Sequence, residues 1–315
     1  MKTILLSLSC LLGIVSCSPD FPIYKPIMPH KGFTENVFVI VMDGARYHET
    51  LGDDSLQYIP LLGTLMSQAT VCNNFFNTGK TLTNPAHACM TTGFYQYIDN
   101  SGIHLPTKPS LMQYMIEGHP EDSSRAWVIA SKGKLSVLGN TSDDVYHDKY
   151  VPKINVGSSG NGGDNRTDEA TLSIVKTVVS KYKPKLTYIL YKEPDESGHT
   201  GNWDNYTTAI KKTDSIIYQT VTCILLDPHY QNNTAIFIVN DHGRHNDSNG
   251  GFINHGDDCT GCQHIMCMAI GPDFKQGVQI TNTYQLTDLA PTIAAMLGIP
   301  LPSCQGIVME AIFKE

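Results

Sequence analysis

The sequence predicts an α/β protein with a mostly parallel central sheet and helices on both faces. Five short runs of apolar and β-branched residues have the composition of strands that are buried on both sides. Longer amphipathic stretches separate these runs, and such an alternation of strands and helices is typical of a parallel sheet. The predicted strands span residues 36–42, 126–130, 186–191, 235–240 and 264–270.

Helices are predicted between these strands, at residues 56–69, 83–92, 110–117, 167–181, 203–226 and 287–297. In the second of them, Thr83 suits the N-cap position, and Pro85 fits the first turn because no N–H is needed there. Free backbone N–H groups at such a helix start form an anion site. A hydroxyl group at this place could attack a phosphorus atom while the helix end stabilises the developing charge.

Charge and the N-terminal segment indicate partners and location. The formal net charge is −8 and no basic tract is present, which argues against nucleic acid as the main partner. Residues 1–17 resemble a bacterial lipoprotein signal, because an apolar run too short to span a bilayer comfortably follows Lys2 and ends at a small residue before Cys17. Residues 18–32 have the composition of a tether, and residues 33–315 are expected to form a single catalytic domain.

The N-terminal pattern predicts an exported protein of the bacterial cell envelope, in the periplasm or on the outer-membrane face, with a lipid on Cys17. An ordinary secretory signal that is cleaved nearby is the alternative. In an oxidising compartment, the spacing of Cys259 and Cys262 favours a small disulfide loop. Half of a zinc knuckle is the other interpretation, but no second cysteine pair with suitable spacing follows.

Acidic residues follow three of the predicted strands. Asp43, Asp195 and Asp241 each lie just past a strand, and the carboxyl ends of parallel strands meet at one edge of a sheet. Three histidines accompany them: His199 is four residues from Asp195, His242 adjoins Asp241, and His255 lies in a later loop. Mixed carboxylate and imidazole ligands suit zinc or a similar divalent ion.

These motifs resemble those of the alkaline phosphatase superfamily, most closely its nucleotide pyrophosphatase/phosphodiesterase branch and the bacterial phosphatases with a threonine nucleophile. The motifs that carry the resemblance are Asp43-Gly44, Thr83-Asn84-Pro85, Asp195 with Gly198-His199, Asn240-Asp241-His242-Gly243 and His255-Gly256. The ending from Thr287 to Pro300 is also similar to that family, so the resemblance spans almost the whole chain after the signal segment.

The resemblance implies a catalytic centre with two divalent metal ions, expected to be Zn²⁺. One ion would be held by Asp195, His199 and His255, and the other by Asp43, Asp241, His242 and the nucleophile Thr83. Thr83 would attack phosphorus and form a phosphothreonine intermediate that water then hydrolyses. The expected substrate is a small phosphate ester, and the sequence leaves open whether it is a monoester or a diester.

Three further residues are candidates for contacts with the substrate phosphate. Lys132 and Lys134 follow a predicted strand and resemble a basic pair that binds phosphate oxygens in some threonine phosphatases. Asn100 resembles the phosphate-contacting asparagine that follows the nucleophile helix in this family. His87 is expected to be a structural residue that faces back along its own helix.

Other activities of the same superfamily compete with phosphate ester hydrolysis. Sulfatases of the superfamily carry a cysteine or serine where this chain has Thr83 and an arginine where it has His87, which counts against sulfatase chemistry. Hydrolysis of a phosphonate ester and transfer of a phospho group to an acceptor other than water are further alternatives. A catalytically inactive binding protein is disfavoured, because all seven expected metal ligands are present.

Overall fold

The computed structural model describes residues 32–315, so that the signal segment, Cys17 and most of the tether lie outside the described residues. Eight strands form one sheet in the order β4-β3-β5-β1-β6-β7-β2-β8. The strands are β1 (Asn36–Asp43), β2 (Ala69–Phe76), β3 (Ala126–Ala130), β4 (Lys153–Val156), β5 (Leu186–Pro194), β6 (Thr234–Val239), β7 (Cys267–Ile270) and β8 (Val278–Gln285).

The sheet is parallel except at β7, which runs antiparallel to both of its neighbours, β6 and β2. The mostly parallel α/β fold predicted from the sequence is therefore confirmed, and all five predicted strands are present. Strands β2, β4 and β8 were not predicted. Two of them, β4 and β8, are the edge strands of the sheet and lack the continuous apolar composition that buried central strands require.

The helices are α1 (Pro60–Leu65), α2 (Thr83–Thr92), α3 (Leu111–Glu117), α4 (Asp168–Tyr182), α5 (Asp195–His199), α6 (Trp203–Leu225), α7 (Thr260–Gln263) and α8 (Leu289–Leu297). The prediction of Thr83 as an N-cap was wrong by one position, because Leu82 has the extended backbone of the cap and Thr83 is the first helical residue. The hydroxyl of Thr83 therefore does not cap the helix. Helix α2 ends, as predicted, at Gly93, whose φ of 75° lies in the left-handed region.

The hydrophobic core lies on both faces of the sheet. In β1, the side chains of Val37, Val39 and Val41 pack with residues of α2, α3 and α8 on one face. The alternate residues Phe38, Ile40 and Met42 pack with residues of α4 and α6 on the other. The unbroken apolar run that predicted β1 follows from this arrangement, because both faces of a central parallel strand are covered.

Strand β1 lies between β5 and β6 and pairs with both in parallel. The carboxyl ends of these three strands therefore lie side by side, and the segments that follow them contain the acidic residues considered next. Among residues 32–315, no helix is both long enough and apolar enough to cross a membrane.

Candidate active site

The three acidic residues predicted at strand ends lie side by side in the structure. Asp43 is the last residue of β1, Asp195 opens α5 directly after β5, and Asp241 lies two residues beyond β6. All three are buried. The backbone N–H of Gly44 donates to Asp241 Oδ1 at 3.1 Å, and this hydrogen bond joins the segments after β1 and β6.

Asp43, Asp241 and His242 form the first group of candidate metal ligands. His242 Nε2 lies 3.3 Å from Asp241 Oδ2 and 3.6 Å from Asp43 Oδ1. Asp43 Oδ1 and His242 Nε2 are buried without a hydrogen-bond partner among the described residues, whereas Asp43 Oδ2 lies 2.9 Å from Lys132 Nζ and Asp241 Oδ2 lies 3.3 Å from His87 Nε2. Burial, and then the charge of Asp241, raise the pKa of Asp43 well above its ordinary value. A divalent cation would satisfy these orphaned atoms, so the group fits the metal that the resemblance implies.

The predicted second group is Asp195, His199 and His255, and the structure also brings His242 within 4.8 Å of Asp195 and His255, so that His242 borders both groups. His199 Nε2 lies 3.2 Å from Asp195 Oδ1, His255 Nε2 lies 3.4 Å from the same oxygen, and the two Nε2 atoms are 3.3 Å apart. Asp195 and His255 are buried, whereas the side chain of His199 is 43 % exposed. This group therefore opens to solvent on one side, where a substrate could enter.

The Nε2 atoms of His242 and His255 face the carboxylates. Nδ1 of His242 lies 2.9 Å from the carbonyl oxygen of Gly243, and Nδ1 of His255 lies 2.8 Å from that of Thr81. A proton on Nδ1 satisfies each carbonyl and leaves Nε2 as an acceptor, which is the arrangement found for metal-bound histidine. Burial lowers the pKa of both rings, to about 3 for His255, and this favours the neutral form of each ring. The rings stack with centroids 3.8 Å apart, which joins the two groups.

Lys132 lies between the two groups. Its Nζ is 2.9 Å from Asp43 Oδ2 and 2.6 Å from Asp195 Oδ2, and it donates to the hydroxyl oxygen of Thr83 at 3.4 Å. Burial lowers the pKa of Lys132, but the carboxylates of Asp43 and Asp195 overcome this effect and raise it above the ordinary value. A buried positive charge is thus fixed beside the hydroxyl of Thr83 and one carboxylate of each group.

The other predicted substrate contacts lie at the start of α2. The side-chain oxygen of Asn100 accepts hydrogen bonds from the backbone N–H of Asn84 at 2.9 Å and from Lys134 Nζ at 3.0 Å. Burial, and then the nearby charge of Lys132, lower the pKa of Lys134 to about 8. Lys134 and Asn100 are therefore next to the nucleophile candidate Thr83, but neither lies among the metal-ligand candidates.

Two residues of the site were not found from the sequence. His87 does not face back along its helix, as predicted, but points at Asp241, with Nε2 3.3 Å from Oδ2 and Nδ1 2.5 Å from the Tyr188 hydroxyl. It lies four residues after Thr83, on the same face of α2, and this spacing was the available signal. Buried Arg244 contacts Asp195 Oδ1 at 2.5 Å and also donates to the carbonyl oxygen of Ile253 at 2.7 Å. Both residues hold a candidate ligand in place.

The predicted disulfide between Cys259 and Cys262 is absent, and both residues are free thiols. The prediction was wrong because a two-residue spacing takes no account of distant side chains. Here His245 Nδ1 lies 3.7 Å from the sulfur of Cys259 and 3.3 Å from that of Cys262.

Comparison with known protein families supports the interpretation of these residues as a metal site. The model of the metalloenzyme superfamily matches residues 125–301, and the sulfatase model matches residues 35–120. The chain therefore belongs to the metalloenzyme superfamily. Together with the structural neighbours, these matches confirm the alkaline phosphatase superfamily, and at this level the chain is a metal-dependent hydrolase.

Several solved structures share the fold at low sequence identity. Murine ectonucleotide pyrophosphatase/phosphodiesterase 5 matches with a TM-score of 0.62 and 14% identity over 86% of this chain and 97% of its own. The phosphonate monoester hydrolase of Agrobacterium radiobacter matches with a TM-score of 0.61 and 13% identity, over 88% of this chain and 76% of its own. The lipoteichoic acid synthase of Listeria monocytogenes matches with a TM-score of 0.59 and 14% identity, over 87% of this chain and 74% of its own. No curated protein matches the chain in sequence.

Proposed function

We propose that this protein hydrolyses small phosphate esters through a covalent phosphothreonine on Thr83. The observation that carries the proposal is the position of the Thr83 hydroxyl. It lies buried in the first residue of α2, and one lysine ammonium joins it to Asp43 of the first metal-ligand group and to Asp195 of the second. A nucleophile at a helix start, between two such groups, suits attack on a phosphorus atom.

Two zinc ions fit the donor sets. Asp195, His199 and His255 would hold one ion, and Asp43, Asp241 and His242, with the Thr83 oxygen, would hold the other. The ion at Asp195 would have three protein ligands, and the ion at Asp43 would have three besides the nucleophile Thr83, so that room for substrate remains at both, as catalytic zinc requires. When bound, the ions supply Lewis acidity, which favours loss of the threonine proton and neutralises charge on the phosphoryl oxygens.

The residues of the chain divide the reaction into two displacements at phosphorus. Thr83 Oγ1 forms a bond to phosphorus, and the bond to the leaving alcohol breaks. Water then attacks the phosphothreonine and releases phosphate, or a phosphate monoester from a diester, so that the threonine hydroxyl is restored. The N-terminal end of α2 faces the negative charge in both steps, and Lys132 keeps Asp43 and Asp195 in position.

Substitution of the nucleophile tests the proposal. Thr83→Ala should reduce turnover of an aryl phosphate by on the order of 10³-fold or more, since it removes the proposed nucleophile. Thr83→Ser should retain measurable turnover. The matched control is Thr78→Ala, because Thr78 is exposed and bonds only to Tyr95 and Gln285 among the described residues.

Acid quenching of the wild-type enzyme during turnover should trap a phosphoryl group on the peptide that contains Thr83. Turnover of Thr83→Ala within tenfold of wild type, or a phosphoryl group trapped on another residue, would contradict the assignment.

A sulfate or phosphonate ester is the second candidate substrate, because the sulfatase model covers residues 35–120, which include Thr83. Threonine at position 83 and histidine at position 87 depart from the sulfatase pattern and support a phosphate ester instead. The murine phosphodiesterase, whose inactive threonine-to-alanine variant is described in complex with AMP, gives the same support. The hydrolysis rates of an aryl phosphate, a bis-aryl phosphate, an aryl phosphonate and an aryl sulfate would decide which class of ester is the preferred substrate. A sulfate that reacts fastest would overturn the proposal.

We also propose that the protein is exported and attached to the membrane by a lipid on Cys17. The supporting observation is the lipoprotein-like signal at residues 1–17. The full-length chain expressed in a bacterial host should incorporate a labelled fatty acid and fractionate with membranes. Cys17→Ser should abolish the label, whereas Cys10→Ser should leave it unchanged. A label that persists in Cys17→Ser would show that the lipid is attached elsewhere.

A further inference from the structure

A second cluster of metal-ligating side chains lies outside the catalytic groups. Its members are His245, Asp257, Cys259 and Cys262, which come from two segments of the chain. His245 follows the catalytic segment after β6, Asp257 follows the loop that carries His255, and the two cysteines flank the start of α7. Their four ligand atoms lie within 4.8 Å of one another.

The distances within this cluster suit tetrahedral coordination. His245 Nδ1 lies 3.1 Å from Asp257 Oδ1, 3.3 Å from Cys262 Sγ and 3.7 Å from Cys259 Sγ. A zinc ion with bonds of about 2.0–2.2 Å to nitrogen and oxygen and about 2.3 Å to sulfur places its ligands about 3.4–3.8 Å apart. The observed separations require shifts of only a few tenths of an ångström.

We propose that His245, Asp257, Cys259 and Cys262 bind a structural zinc ion that is distinct from the catalytic metals. Binding replaces the two thiol protons, which pass to solvent, and gives zinc two sulfur, one nitrogen and one oxygen ligand. A disulfide between the cysteines would account for neither the imidazole nor the carboxylate that faces them. Asp257 is 44 % exposed, which gives the ion a path of entry.

The backbone around the cysteines is already held against the catalytic segment. The N–H of Gly243 donates to the carbonyl oxygen of Cys262 at 2.8 Å. A Cβ atom on Gly261 would lie 2.5 Å from the carbonyl oxygen of Arg244 and 2.3 Å from Asn246 Oδ1, so only glycine fits at position 261. The turn is therefore packed directly on the segment that carries Asp241 and His242.

The same ion would also restrain the loop of His255. Asp257 is two residues from His255, and its carbonyl oxygen accepts a hydrogen bond from the Thr81 hydroxyl at 2.6 Å. Nδ1 of His255 in turn contacts the carbonyl oxygen of Thr81. Zinc at this cluster would thus join the loop of His255, the segment of His242 and the approach to Thr83. The ion would hold ligands of both catalytic groups at fixed positions relative to one another without contacting the substrate.

Cobalt substitution separates this site from the catalytic centre. The catalytic groups contain only nitrogen and oxygen donors, so Co²⁺ bound there gives no sulfur-to-cobalt charge-transfer absorption. The reduced protein loaded with Co²⁺ should show this band. Cys259→Ser with Cys262→Ser should abolish it and remove one zinc equivalent per chain by elemental analysis. Asp195→Ala should keep the band, and so should Cys223→Ser, which changes a half-buried cysteine of α6 outside the cluster.

A measurement on the wild-type chain avoids any dependence on folding of the variants. Zinc-loaded protein treated with iodoacetamide should leave the half-buried Cys259 unmodified, and Cys259 should react after a chelator is added. The proposal is overturned if Cys259 is modified to the same extent with and without zinc, if peptide mapping without reduction finds Cys259 and Cys262 joined in a disulfide, or if cobalt gives no band. These outcomes do not depend on whether Thr83 is the nucleophile.

Discussion

At the scale of single residues, Lys132 and Lys134 have different surroundings although only Gly133 separates them. Lys132 is enclosed by Asp43, Asp195 and Thr83, whereas Lys134 is half-buried and donates to Asn100 at the start of α2. Lys132 therefore holds the site together in addition to any contact with substrate. Lys134 is free of the metal-ligand groups and is better placed to distinguish between substrates.

We predict that Lys134→Ala slows hydrolysis of a monoester more than that of a diester. A monoester carries nearly two negative charges at neutral pH and a diester carries one, so the extra oxygen needs an additional cationic partner. Loss of one charged hydrogen bond should cost about 1.5–3 kcal/mol in the transition state, or about ten- to a hundredfold in rate. Comparison of kcat/KM for aryl phosphate and bis-aryl phosphate measures the difference.

Lys132→Ala should slow both substrates, because it also removes the partner of two buried carboxylates. Lys149→Ala, at an exposed lysine, is the control and should change neither rate. Equal small effects of Lys134→Ala on both esters would mean that Lys134 does not contact the phosphate, and a diester would then be the favoured substrate.

The candidate metal ligands that follow strands were the easiest residues of the site to place from the sequence. Asp43, Asp195 and Asp241 follow buried strands, and strand ends are visible in a one-dimensional pattern. His87 and Arg244 were missed because their roles arise from pairing across the fold. His87 reaches Asp241 from a different element, and Arg244 reaches Asp195 from the far side of β1. The spacing from Thr83 indicates the face of α2 on which His87 lies but not its partner, and no local pattern records the contact of Arg244.

At the scale of the elements, the central strands were predictable and the edge strands were not. Residues of β1 and β6 are buried throughout, so their sequences are continuous apolar runs. In β8 most side chains are exposed, and Thr and Asn interrupt the apolar residues. Strand β2 contains Asn73 and Asn74, whose amides bond to residues of β8. Because these partners come from the opposite end of the chain, the asparagines resemble loop residues until the sheet is known.

The ends of α2 and α8 provide a paired prediction. Both helices end at a glycine in the left-handed region, Gly93 with φ 75° and Gly298 with φ 63°. A Cβ atom on Gly93 would lie 2.8 Å from the Cβ of Cys304, whereas one on Gly298 would have no atom within 4 Å. Gly298→Ala should therefore cost only the conformational penalty, about 1 kcal/mol.

Gly93→Ala should cost that penalty plus about 1–3 kcal/mol of overpacking against the C-terminal segment. Urea unfolding monitored by circular dichroism measures both values. Equal losses for the two variants would show that the segment around Cys304 moves aside without cost. Because α2 begins at Thr83, Gly93→Ala is also expected to lower kcat, and Gly298→Ala is the control for that effect.

At the scale of the whole molecule, metal removal should lower both activity and stability. Without cations, the buried carboxylates of Asp43 and Asp241 face each other across His242, with Lys132 and His87 as their nearby polar contacts. An ion that binds only the folded chain adds about 2.7 kcal/mol to the free energy of unfolding at one hundred times its Kd. Thermal melting with and without a chelator, followed by addition of Zn²⁺, should show a reversible shift.

The variant Asp241→Ala is the matched control, because it lacks a ligand of the first group and should show a smaller shift. The double variant Cys259→Ser with Cys262→Ser separates the contribution of the sulfur-containing site. An active wild-type protein that contains no metal and melts at the same temperature in chelator would contradict the two-metal centre.

The central place of β1 in the sheet has a consequence for biosynthesis. The first strand of the described chain pairs with β5 and β6, and the bond from Gly44 to Asp241 spans 197 positions of sequence. A ribosome releases Asp43 early, but its ligand group is complete only after His242 has emerged, and the other group only after His255. Contacts this distant in sequence form late in folding. The nascent chain therefore passes about four-fifths of its synthesis before all residues of both candidate ligand groups have been made.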